Sequence, residues 1–125
     1  MGKKFLIDTN TLIDAQTHKL SENGLRFLAD VINEDFTISF ITYIEFLGYK
    51  NATKAMEEFI ALANVVQIDT VIIDICISLR KTQRIKLADT IIAATALANG
   101  YTLITNNEKD FINIKNLDVV NLHKI

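Results

Sequence analysis

Five side chains in this sequence are of the type and spacing to do chemistry together: Asp8, Glu45, Asp89, Asn107 and Asp110. Asp8 directly follows Phe5-Leu6-Ile7, an apolar run that reads as a short strand buried on both faces. In an open parallel sheet, ligands bind outside the carboxyl ends of the strands, so an acid in that place stands on the reactive rim. Asn107 and Asp110 follow another apolar run, Thr102-Leu103-Ile104, and Glu45 lies one helical turn beyond a third, Phe36 to Ile41. Asp89 opens the alanine-rich helix expected over Leu87 to Asn99. Carboxylates brought to one rim repel, and they coexist only if protonated or joined by a hard cation. Oxygen donors without His or Cys suit Mg²⁺ or Mn²⁺. An ion held by a few carboxylates and several waters typically works on phosphates.

Each residue also has an ordinary reading. Asp8 could be a turn residue bonding the backbone of Asn10. Thr42-x-x-Glu45 matches a capping box, although its apolar neighbours Ile44, Phe46 and Leu47 leave that carboxylate poorly solvated and in want of a partner. Asp89 could complement a helix dipole, worth under about 1 kcal/mol. Asp110, before Phe111, could be a cap. It is their joint arrival at one sheet edge that points to a site.

The elements that must bring them there alternate along the chain. After Asp8 a short helix begins at Thr11-Leu12-Ile13-Asp14. Ser21 caps a longer one with Leu25, Leu28, Ala29 and Ile32 on one face. A strand over Phe36 to Ile41 leads to a helix opened by Thr42 that reaches Tyr49. The next helix, Ala52 to Ala63, turns Met56, Phe59, Ile60 and Ala63 to one side. Val65 to Ile68 is a third strand, and Asp69 caps a helix from Thr70 to Thr82. Leu87 to Asn99 ends at Gly100. Thr102 to Ile104 and Val119-Val120 complete five strands. Parallel strands need helical crossovers, so this order predicts one three-layer α/β domain over residues 1–125.

Composition narrows the class. The chain has 125 residues, half of them hydrophobic and 22% charged, enough for one core and unlike a disordered chain. No apolar run approaches the roughly 20 residues that cross a bilayer. The basic start, Met1 to Lys4, precedes only three apolar residues, too few for a signal peptide. A cytoplasmic protein without membrane contact is expected. Cys76, the one cysteine, sits in an apolar run and reads as a buried small hydrophobe. The net charge of −2 argues against nucleic-acid attraction over the whole surface and leaves room for a local patch. Arg80, Lys81, Arg84 and Lys86 are such a patch, able to hold an RNA backbone, or else an exposed helix end whose cations suit its dipole. No aromatic residue interleaves them, so base-specific reading is not indicated. His18 and His123 have no acid or nucleophile beside them in sequence and receive no role.

The segments Phe5 to Ile13, Ile44-Glu45, Leu87 to Ala96, Leu103 to Asn107 and Asp110-Phe111 together resemble the PIN domain. The similarity is greatest to the VapC-like toxins of type II toxin–antitoxin systems, and it runs in order over nearly the whole chain. The resemblance implies a five-stranded parallel sheet of order 3-2-1-4-5 with helices on both faces. It implies a Mg²⁺- or Mn²⁺-dependent endoribonuclease that hydrolyses phosphodiesters, tRNA or rRNA being the natural substrates. Asp8, Asp89 and Glu45 take the family's metal-binding positions, with Thr9, Asn10 and Thr105 fixing them. The fourth position falls on Asn107, where relatives carry Asp or Asn, with Asp110 close by; a neutral residue there puts a second metal in question. An antitoxin partner and a homodimer follow from the same resemblance, with Tyr43, Phe46 and Tyr49 as candidate interface residues, Phe46 reading first as a core residue. The rivals are a PIN nuclease of RNA processing, a catalytically idle PIN-like binding module, and a haloacid-dehalogenase-like phosphatase. The last would want a second Asp where Asn10 stands.

Overall fold

The structure is a computed structural model, and it describes residues 2–125. Five strands, β1 (Phe5–Ile7), β2 (Thr37–Ser39), β3 (Asn64–Val66), β4 (Thr102–Ile104) and β5 (Val119–Val120), alternate with helices. The helices are α1 (Thr9–Gln16), α2 (Glu22–Glu34), α3 (Phe40–Leu47), α4 (Lys54–Ile60), α5 (Thr70–Thr82) and α6 (Leu87–Asn99). Two 3₁₀ turns, Glu108–Asp110 and Leu122–Lys124, lie after β4 and β5.

All pairing is parallel. β4 lies between β1 and β5, with Leu6 opposite Leu103 and Ile104 opposite Val120, while β2 pairs separately with β3. β2 packs beside β1, which places the strands in the spatial order 3-2-1-4-5. Among the described residues no ladder joins β1 to β2, so the expected continuous sheet is two ladders meeting at a packed seam.

Alternation along the strands explains the layers. Ile7 and Ile104 face a core shared with Leu12, Leu28, Phe46 and Ile60 of α1 to α4, while Leu6 and Leu103 face Ile92, Ala93 and Ala96 of α6. Small residues on α6 also let α5 lie against it, Ile72 and Cys76 meeting Ala94. The sheet is therefore covered on both faces, as a parallel sheet must be.

Several elements depart from expectation. α1 starts at Thr9 rather than Thr11, because Asp8 itself is its N-cap, accepting from the backbone N–H of Thr9 at 2.8 Å rather than from that of Asn10. β2 stops at Ser39, which caps α3 through the Thr42 amide at 3.1 Å. A serine three residues upstream thus replaces Thr42 as the cap, and the Thr42–Glu45 capping box does not form. α2 buries Gly24, Leu28 and Val31, leaving Leu25 and Ala29 exposed. The strand expected over Val65 to Ile68 runs instead from Asn64 to Val66, and α4 is shorter than Ala52 to Ala63. α5 and α6 span the expected ranges, and Gly100 closes α6 at φ +69°, a left-handed conformation that costs glycine nothing.

Candidate active site

Asp8 is the fixed point of the rim. Its side chain leaves the end of β1, caps α1, and is only 4% exposed. One oxygen accepts from Thr9 N; the other accepts from Thr105 Oγ1 at 2.8 Å and Asn10 Nδ2 at 3.3 Å. Thr105 enters from the end of β4, which explains why the register of β1 with β4 matters: Ile7 opposite Ile104 sets the next residue of each strand side by side. Burial, countered by the bonds from Thr105 and Thr9 and then reinforced by Asp89 and Glu45, pushes the Asp8 carboxyl from 3.8 up to about 6.

The other residues arrive from three directions. Glu45 is in the body of α3, and its Oε1 accepts from Thr9 Oγ1 at 2.6 Å. Thr9 therefore holds Asp8 with its backbone and Glu45 with its hydroxyl. Asp89, in the first turn of α6, has its carboxyl pushed up by burial, then by Asp110 and Glu45, with Lys86 pulling it back. Asn107 donates its amide to Asp110, and the Asn107 backbone N–H donates to Thr105 Oγ1 at 3.1 Å. Asp89 thus stands within electrostatic reach of Asp110 and Glu45, and Asp8 of Asp89 and Glu45. Thr9, Asn10 and Thr105 form the hydrogen-bonded frame between them.

This donor set fits a hard divalent cation: every group is an oxygen donor, and two carboxyls are destabilised as anions by their surroundings. Among the described residues no three acids, histidines or cysteines converge into a ready-made ligand shell.

The sequence pattern of the PIN domain matches residues 5–117, nearly the whole chain. The protein belongs to the PIN domain family. This PIN domain is similar to a chain of a toxin–antitoxin complex from Klebsiella pneumoniae, 31% identical over 93% of this chain and 95% of that one, with a TM-score of 0.74. It is also similar to a chain of DNA-bound VapBC from Salmonella typhimurium, 25% identical over 97% and 99% of the two chains, at a TM-score of 0.78. FitAcB from Neisseria gonorrhoeae shares the fold at a TM-score of 0.76 and 24% identity over 97% and 99% of the chains. No curated protein sequence gives a significant match. No helix among the described residues is long and apolar enough to cross a membrane.

Beside the acids, the PIN domain opens a cleft of about 580 Å³ between the α5–α6 connection and the Glu108–Asp110 turn. Arg84, Lys86 and Lys109 line it together with Asp89 and Asp110. The four cations marked in the sequence divide here. Arg84 and Lys86 face the cleft, whereas Arg80 donates to the Ile85 carbonyl at 2.7 Å and braces the connection. Lys81 lies in the last turn of α5 without lining the cleft. Lys109 was not legible as a partner of Arg84, because about 25 residues of helix and strand separate them in sequence. Asp69 caps α5 on the exposed edge, accepting from Ile72 N at 2.9 Å, away from the acids. Phe46 is 1% exposed and belongs to the core, while Tyr43 is 38% exposed.

Proposed function

We propose that this PIN domain is a Mg²⁺- or Mn²⁺-dependent endoribonuclease acting as the toxin of a toxin–antitoxin pair. The observation that carries the reading is Asp8: a buried carboxyl, held by three donors, pushed toward neutrality beside Asp89 and Glu45. A fold tolerates such a group where charge is to be neutralised by something that enters. Asp8, Asp89 and Glu45 would hold the ion, with Asn107 and Asp110 at the margin of its hydration. When bound, a divalent cation supplies polarisation of a phosphodiester and neutralises the charge of its in-line displacement. The chain's own part is positional. Thr105 and Asn10 keep Asp8 aimed out of β1, Thr9 keeps Glu45 at a fixed distance from it, and Arg84, Lys86 and Lys109 can grip the RNA backbone along the cleft. A cleft without aromatic lining favours recognition of backbone and shape over stacked bases.

The partner reading leans on the neighbours from Klebsiella and Salmonella, whose solved structures are toxin–antitoxin complexes. Tyr43, Ile44 and Leu47 of α3 are exposed apolar side chains on the same helix as Glu45, a surface suited to an antitoxin segment whose tail reaches the acids, or to a second copy in a homodimer.

The test is cleavage of tRNA and rRNA by the purified chain with Mg²⁺ or Mn²⁺, with EDTA, and with Asp8→Asn in parallel. Cutting that needs metal and falls by about two to three orders of magnitude in the variant is expected. Millimolar Mg²⁺ should also raise the wild-type melting temperature by roughly 3–6 °C and leave the variant unmoved. A wild type that neither cuts nor responds to metal would make this an idle PIN-like module.

A further inference from the structure

We propose that the 3₁₀ turn Leu122–Lys124 is a clasp that fixes the loop Asn106–Asp110 against α1, with Asp14 and His123 as positioning residues for the reaction assigned above. The catalytic half of this inference rests on that reading. Asn10 and Asp14 lie one turn apart on α1 and both hold Asn106. Asn10 Oδ1 accepts from the Asn106 backbone N–H at 3.1 Å, and Asp14 Oδ2 accepts from Asn106 Nδ2 at 2.6 Å. His123 Nε2 meets that same Asp14 oxygen at 2.7 Å, a contact in which a protonated ring nitrogen donates to the carboxylate. Asn121 Oδ1 accepts from His123 N at 2.9 Å, and Asn121 Nδ2 donates to the Asn106 carbonyl at 3.4 Å. At the other end of the loop, Lys124 Nζ pairs with Glu108 Oε2 at 2.9 Å.

The clasp has a firm seat. Leu122 is 1% exposed, buried with Leu28 and Val31 of α2. Gly24 lets α2 approach it: a Cβ at that position would stand 2.7 Å from the Leu122 carbonyl oxygen. The turn is thus set by packing, and it grips a loop that lies outside the strand ladders. Exposed ion pairs of this kind contribute little to global stability. Their effect is on where Asn107 and Asp110 stand relative to Asp89, and a displacement near 1 Å at a reacting centre costs up to about 10²-fold in rate.

The experiment compares wild type, His123→Phe/Lys124→Ala and His123→Gln/Lys124→Arg, reading amide hydrogen exchange over residues 106–110 and, separately, kcat and KM for RNA cleavage. The first variant removes both grips; the second keeps a donor at each. Exchange in the loop should quicken by about tenfold in the first variant and return to the wild-type rate in the second, with β1 and β4 amides unchanged in all three. kcat should fall by about five- to tenfold in the first variant, with KM within about twofold, and recover in the second. Equal loop exchange in all three proteins would overturn the clasp. Faster exchange with an unchanged kcat would overturn the positioning role. A wild type inert toward RNA would fail the nuclease reading alone, and the exchange comparison would still decide the clasp.

Discussion

Two aspartates in this protein stand at junctions from strand to helix and cap the helix that follows, yet their surroundings are opposite. Asp8, between β1 and α1, is buried, accepts three hydrogen bonds and is pushed up to about 6. Asp69, between β3 and α5, is exposed and accepts one, from Ile72 N. The same residue type with the same local duty is buried beside other acids in one place and is exposed punctuation in the other. Position in the sheet makes the difference. β1 is flanked by β2 and β4, whose following segments deliver Glu45 and Thr105, while β3 is an outer strand.

The comparison can be broken most forcefully through activity. Asp69→Ala should leave RNA cleavage within about twofold of wild type, set against the loss of two to three orders of magnitude expected for Asp8→Asn; comparable losses would mean the two junctions are not distinct. Next in size, Thr9→Val keeps the shape of a residue 8% exposed and removes the hydroxyl that holds Glu45. Cleavage should fall by about 10- to 100-fold, the usual cost of losing a group that orients a ligand.

Stability should separate the junctions by sign. The folded pKa of Asp8 lies above its ordinary value of 3.8, so the folded state binds more protons between pH 3.8 and about 6 and loses stability as pH rises through that window. In metal-free buffer above pH 6, Asp8→Asn should therefore be more stable than wild type by about 2 kcal/mol, a gain that vanishes near pH 4. Denaturant titrations at pH 4 and pH 7.5 check it; a gain independent of pH would sever burial from charge. Asp69→Ala should instead lose about 1 kcal/mol, the ordinary cost of a missing N-cap.

What was legible in the sequence follows from the range of the forces involved. α6 and β4 were readable to the residue, and α5 closely, because their apolar runs, caps and glycine act within a few positions. Asp8 and Asp89 were marked because each abuts such an element. The capping-box alternative for Glu45 arose because Ser39 and Thr42 are both competent caps, and only the end of β2 decides between them. The His123–Asp14 pair and the Arg84–Lys109 cleft were invisible: their partners meet through tertiary packing across 109 residues in the first case, and no local pattern encodes that distance. The seam between β1 and β2 was equally hidden, since strand patterns tell which faces are buried and not which neighbours exchange hydrogen bonds.

That seam runs through the acids. Asp8 and the Asn107–Asp110 loop ride on the ladder of β1, β4 and β5, while Glu45 rides on α3 behind β2. The Thr9–Glu45 bond spans the gap at 2.6 Å. Neither ladder alone carries both Asp8 and Glu45, so the acid set is complete only where the two ladders are docked.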